Sequence, residues 1–205
     1  MSNDNSPWPS RTDSFFAPEQ EWWHNACLGW SHDQWATYSD GYLRASLVLL
    51  DHALSEGHDL DILIYPIVFN FRHYVELKLK YLIVAASDLL DMRQAFPHTH
   101  DLTNLWGTTK PLLAQVFAGQ DHGELLSVSR VMRELAGADP SSEVFRYPAD
   151  KHDSPHHGAD RRIGLGRFRS TAQNLSAFFE GCDAAIQEYR DAKAESNADS
   201  LDGGV

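Results

Sequence analysis

From Trp35 to Leu54 apolar residues recur at three- and four-residue steps, at Trp35, Tyr38, Tyr42, Ala45, Leu49 and Ala53. That spacing puts them on one face of a helix, and Gly57 in "SEGHDLD" is placed to end it. A greasier segment follows, from Tyr65 to Leu90, with Pro66 in the first turn, where a missing N–H costs nothing. Its roughly 26 residues span roughly 39 Å, enough for a central rod. Pro97 in "RQAFPHTH" forbids continuation. "HDLTNLW" opens a third helix with Thr99 or Asp101 as N-cap, and Gly107 and Pro111 divide it from "PLLAQVFA". "GELLSVSRVMRELAG" reads as a shorter helix. After a long loop from Ala138 to Gly164, a final helix runs from Leu165 to Tyr189, its Phe168, Leu175, Phe178, Phe179 and Ile186 serving as core or dimer interface.

No alternating strand pattern and no internal repeat occurs. Helices joined by mostly short loops predict an all-α fold, an up-and-down helical bundle of four to six helices. The bundle is expected over residues 18–189, between a flexible N-terminus at 1–17 and a flexible acidic tail at 190–205. "EWWHNACLGW" is expected to strap against the core, because its aromatic rings favour burial.

Composition narrows the class. Hydrophobic residues at 42% and aromatics at 11% of 205 residues exclude a disordered chain and suit one domain. No apolar run approaches the ~18 residues of a membrane span. "MSNDNSPWPS" lacks the basic and apolar regions of a signal peptide, so a soluble cytoplasmic protein is expected. Cys27 and Cys182 supply neither a disulfide framework nor a four-thiolate zinc site. His152, Asp153, His156, His157 and Asp160 in "KHDSPHHGADRR" have no regular ligand spacing, so no metal is expected. No glycine-rich phosphate loop is present, and no cofactor is expected.

The net charge of −12 opposes a nucleic-acid partner, yet its distribution is uneven. Residues 146–169 hold six basic residues against three acidic ones, a local +3, whereas the remainder holds 11 against 26, or −15. This stretch is either a solvated loop or a patch that meets phosphate. Lys151, Arg161, Arg162, Arg167 and Arg169 are its nucleic-acid-binding candidates.

"FRHYVELKLK" interrupts the apolar second helix with charge. At 100° per residue, Arg72, His73, Glu76 and Lys80 fall within one sector of about 100°. Glu76 lies four residues from both Arg72 and Lys80, so intrahelical pairing is geometrically free. This seam is either exposed and weakly paired, or faces another helix and must be fully satisfied by partners from elsewhere.

"YPIVFNFRHYVELKLKYLI", "HTHDLTNLW" and "FRYPAD", in this order, resemble the HEPN superfamily of prokaryotic helical-bundle proteins over residues 35–190. In that family a Glu…Lys pair sits on a long helix, a His-Asp-Leu element opens the next, and an Arg-Tyr-Pro element precedes the last. Glu76 with Lys80, His100-Asp101-Leu102 and Arg146-Tyr147-Pro148 occupy those places. The resemblance implies a toxin–antitoxin, abortive-infection or RNA-processing context, in which many members are dimeric metal-independent endoribonucleases and others are accessory or nucleotide-binding modules. Catalytic members carry an Arg followed after four to six residues by His, and Arg93 followed by His98 and His100 fits twice. A His moves the 2′-hydroxyl proton near neutral pH and an Arg stabilises charge on phosphorus.

Arg72, His73, Glu76, His100 and Arg146 are expected to meet in space, with Asp101 beside them. Two functions stand open. One is RNA binding, with cleavage in which His98 or His100 moves the proton and Arg93 or Arg146 holds the phosphate. The other is a non-catalytic module that dimerises through its helices and regulates a protein partner; an acidic body suits a basic partner.

Overall fold

A computed structural model describes residues 8–31, 33–92, 96–120, 123–157 and 161–202. Among the described residues there are five α-helices, one 3-10 turn and no strand, so the chain is an all-α helical bundle. It divides into two compact units, Met1–Gln34 and Trp35–Val205. In the first, the 3-10 turn Trp22–His24 is held by Asn25, whose Nδ2 donates to the carbonyls of Glu19 (2.9 Å) and Glu21 (3.2 Å). Trp22 and Trp23 meet edge to face at 6.0 Å and are both exposed.

The second unit is built around α2, Leu60–Leu89. This helix begins five residues before the expected start, so Pro66 lies inside it and not in its first turn. The interior proline is tolerated because the carbonyl it leaves unpaired, that of Ile62, belongs to an exposed residue that water reaches. Tyr74, Val75, Leu79, Leu82 and Ile83 are wholly buried in one core with Leu105 and Leu113 of α3 (Leu102–Val116), Met132 of α4 (Gly123–Ala138) and Phe179 of α5 (Leu165–Asp202). α1 (Gln34–Glu56) joins through Leu50 and Ala53 against Ile67 and Leu165, and Ser46 Oγ donates to Ile67 O at 2.9 Å.

Gly107 and Pro111 do not divide the third helix; α3 runs through both. The carbonyl that Pro111 cannot satisfy is that of Gly107, both residues are exposed, and Gly107 has no Cβ to screen that carbonyl from water. Asp101 is the N-cap, accepting from Thr103 N (2.7 Å) and Asn104 N (3.4 Å).

The last helix also differs from expectation, continuing past Tyr189 to Asp202. The extension carries three alanines among mostly polar residues and contains neither Gly nor Pro. It is tied back to the end of α2: Arg190 pairs with Asp88 (3.1 Å) and Lys193 with Asp91 (2.6 Å). Lys193 also donates to Leu89 O at 2.8 Å, placing a cation on the last carbonyls of α2. Among the described residues no helix is long and apolar enough to cross a membrane.

The long connection before α5 has its own small core, in which Val144 and Phe145 pack on Val68. His157 Nε2 lies 3.1 Å from Val144 O, so that nitrogen carries the proton and donates. Its ring rests 5.1 Å from that of Phe145.

Candidate functional site

The charged seam of α2 faces inward. Arg72 and Glu76 are 1% and 2% exposed, and Lys80 is buried at 6%. The guanidinium of Arg72 is the hub. Its Nη2 donates to His100 O (2.9 Å), Nη1 to Ser142 Oγ (2.9 Å), and Nε to Asp139 O (3.2 Å). Nη1 also meets Glu76 Oε2 at 3.4 Å, and Nε lies 3.4 Å from Asp139 Oδ2. One side chain thus joins α2 to the segment before α3 and to the turn after α4.

Glu76 uses its other oxygen twice. Oε1 accepts from Lys80 Nζ at 2.8 Å and from His100 Nδ1 at 2.7 Å. Burial alone would push this carboxyl up, but the hydrogen bonds and charges of Lys80 and His100 outweigh it and hold Glu76 below its ordinary value. An ionised carboxylate only accepts, so His100 carries its proton on Nδ1 when neutral. Two buried cations, Arg72 and Lys80, then balance two buried carboxylates, Glu76 and Asp139, which is the condition for burying charge cheaply. Phe96 covers Lys80 at 5.9 Å and packs at a tilt against Trp35, with 4.8 Å between ring centres.

His100 is the exception to the burial. Its side chain is 72% exposed while the carboxylate it binds is 2% exposed. The imidazole is bound at Nδ1 from inside the protein, and Nε2 is the remaining ring nitrogen of this mostly exposed side chain.

The other expected members of the seam lie around this knot. His73 is half-buried, edge-on to Tyr42 at 4.3 Å and parallel to Phe69 at 6.2 Å. Burial holds its imidazole below the usual value, and the charges of Lys80, Arg72 and His100 add to this against the opposing pull of Glu76. Arg146 does not reach Glu76 or Asp101. It is exposed, lies over Phe69 (5.6 Å) and Tyr147 (5.2 Å), and reaches Ser142 O at 3.5 Å. Arg146 and His100 therefore stand on segments that both bind Arg72. Asp101 stays out of the knot as the cap of α3. His98 is exposed beside Phe96, with 5.7 Å between ring centres. Arg93 lies outside the described residues.

The basic candidates divide. Arg161, Arg162 and Arg167 line a cleft whose wall includes none of Glu76, His98 or His100. Arg169 is taken up by Asp51 at 2.9 Å. Lys151 is exposed in a turn where Asp150 Oδ1 accepts from His152 N (2.8 Å) and Ser154 N (3.0 Å).

Asp139 and Ser142 are members that the sequence reading missed. Asp139 Oδ1 accepts from Glu143 N (2.9 Å) and Val144 N (3.0 Å), closing the turn that carries Ser142. Ser142 adopts φ +63°, a left-handed conformation costing roughly 1–2 kcal/mol, and its hydroxyl is held by Arg72. The signal available in sequence was Asp139-Pro140, a turn-initiating pair directly after a helix. Among the described residues, Glu19, Glu21 and His24 bring ligand atoms within 4.8 Å of one another, but all three are exposed and carry no further sign of an ion.

The buried part of this constellation can lock three segments together. Its exposed histidine can take or give a proton at a position set by a buried carboxylate. Comparison with protein-family models, curated proteins and solved structures finds no match to this chain.

Proposed function

We propose that this chain is a HEPN-like RNA-binding protein that cleaves RNA through side chains alone, with His100 as the proton-transfer group. The observation that carries the reading is the exposed His100 ring, bound at Nδ1 by the buried Glu76 carboxylate at 2.7 Å. A buried acceptor fixes both the tautomer and the ring orientation, as a general base requires. In the reaction His100 Nε2 takes the proton of an RNA 2′-hydroxyl, and the 2′-oxygen attacks the adjacent phosphorus. The 5′-oxygen leaves with a proton from solvent, giving a 2′,3′-cyclic phosphate and a 5′-hydroxyl. Arg146, exposed on the segment that shares Arg72 with His100, is the residue offered to the phosphate.

The test is cleavage of a defined RNA in EDTA by wild type and by His100→Ala, with a substrate carrying 2′-deoxyribose at the cut site as control. The reading requires a cyclic-phosphate product, loss of about 100-fold or more in the variant, and no cut in the deoxy substrate. An active His100→Ala of unchanged stability overturns it.

One observation favours a second reading, a non-catalytic module that binds a protein partner. Arg161, Arg162 and Arg167 gather around a cleft that neither His98 nor His100 borders. RNA then has fewer cations beside His100 than the charge pattern offers. Binding of RNA without cleavage by any form supports neither the general-base role nor this alternative, whereas absence of both cleavage and RNA binding supports the alternative.

A further inference from the structure

Two cavities differ in kind. Among the described residues, the wall of the larger, about 810 Å³ beside Phe117 and Cys182, holds no Lys, Arg or His. The smaller, about 650 Å³, lies among α2, α4 and α5 and is floored by Val68, Phe71, Leu135, Phe145 and Phe168. Among the described residues around it stand Arg130, Arg161, Arg162 and Arg167 with one carboxylate, Glu134, so four positive charges meet one negative, a net +3. Among the described residues the arginines in ion pairs are Arg72, Arg169 and Arg190, and none of the four belongs to that set. Arg161 is held at the cleft by His157 Nδ1 (3.4 Å) and by the face of Phe145 (5.9 Å).

On a chain with 29 acidic residues, four arginines with no carboxylate partner among the described residues, around one apolar hollow, mark a place where charge repulsion is relieved by an anion. The floor decides what the anion carries. Among the described residues Thr171 is the only uncharged polar side chain in the wall, so a nucleobase would bury its edge donors and acceptors unpaired. A hydrocarbon body leaves nothing unpaired.

We infer that this cleft binds an amphiphilic organic anion, an alkyl chain on the phenylalanine floor with a phosphate head among the arginines. The guanidinium fork matches phosphate oxygens in pairs, which fixes the head while the chain supplies buried area. The size suits a small-molecule site.

The test is calorimetric titration of the whole chain with hexyl, octyl and decyl phosphate below their micelle concentrations, beside octanol, inorganic phosphate, AMP and vesicles of anionic phospholipid. The expected result is about tenfold tighter binding for each two added carbons, since about 0.8 kcal/mol per buried methylene is gained at 1.4 kcal/mol per tenfold. Octanol and inorganic phosphate are expected to bind at least tenfold more weakly than octyl phosphate. Arg162→Ala combined with Arg167→Ala is expected to lower octyl phosphate affinity at least tenfold. Gly137→Trp provides a second variant: Gly137 is helical and lines the cleft, and a Cβ there would meet no atom outside its own helix turn within 4 Å, so the position has room for an indole that competes for the cleft. It is expected to abolish binding with an unchanged helical spectrum. AMP binding as tightly as decyl phosphate, absence of chain-length dependence, binding to vesicles but not to the free phosphates, or unchanged affinity in both variants each overturns the inference.

Discussion

His73 and Glu76 sit one turn apart on α2 and respond to acid in different windows. Burial holds His73 below its unfolded value of 6.5, so the unfolded chain binds this proton more tightly. Its contribution is complete above pH 6.5 and is lost as the pH falls from there through the lower folded value. His73→Phe keeps the stack with Phe69 and Tyr42 but cannot titrate. Urea unfolding between pH 5 and 7 should therefore give a flatter stability profile for the variant than for wild type. Glu76 is also held below its unfolded value of 4.5; burial opposes this, and the hydrogen bonds from Lys80 and His100 prevail. Its stabilisation is present above pH 4.5 and lost as the pH falls through the lower folded value. Glu76→Gln leaves Arg72 and Lys80 buried with one carboxylate between them, and should cost about 3–5 kcal/mol at pH 7 by denaturant titration. A loss below ~1 kcal/mol would mean that the knot is wetter than its burial implies.

At the scale of the element, α3 and α5 show what was hidden in the chain. Gly107 and Pro111 signal a break by local chemistry, but Leu105, Trp106, Leu112 and Leu113 on both sides of it pack into one core, and an exposed Gly107 carbonyl makes the proline tolerable. Pro111→Ala restores an N–H to that carbonyl and should stabilise the protein by about 2 kcal/mol, read as a Tm rise of several degrees. An unchanged or lowered Tm would mean that Pro111 has a packing role. The same limit explains the end of α5. "QEYRDAKAES" is polar all round, so no apolar stripe announced a helix, whereas the anchors Asp88, Leu89 and Asp91 lie about a hundred residues earlier. Helix identity was legible from the steps of Tyr42, Leu49 and Ala53, and of Leu79, Leu82 and Ile83. Helix limits were not, because solvation and distant partners set them.

For the whole molecule, all residues of the three buried clusters fall within 42–186. A fragment of residues 35–205 should therefore unfold in a single cooperative transition with most of the full-length Tm; loss of cooperativity would show that the first 34 residues complete the core. The candidate site was legible to the same partial extent. The four-residue spacing of Arg72, Glu76 and Lys80 announced the pairing, and His100 stood next to the helix start that brings it to Glu76. Asp139 and Ser142 were not legible, because they reach Arg72 across 67 and 70 residues through a turn with a left-handed serine. Arg146 was expected in the knot and instead lies on Phe69, a contact that no spacing rule encodes. The general-base role requires His100 to be oriented from inside by a buried carboxylate, with Nε2 open to take a proton. Nitrogen-15 NMR of the His100 ring, at a pH where the imidazole is neutral, tests this most directly. The structure predicts a protonated Nδ1 and a bare Nε2; a proton on Nε2 and a bare Nδ1 would contradict the geometry and remove the general base with it.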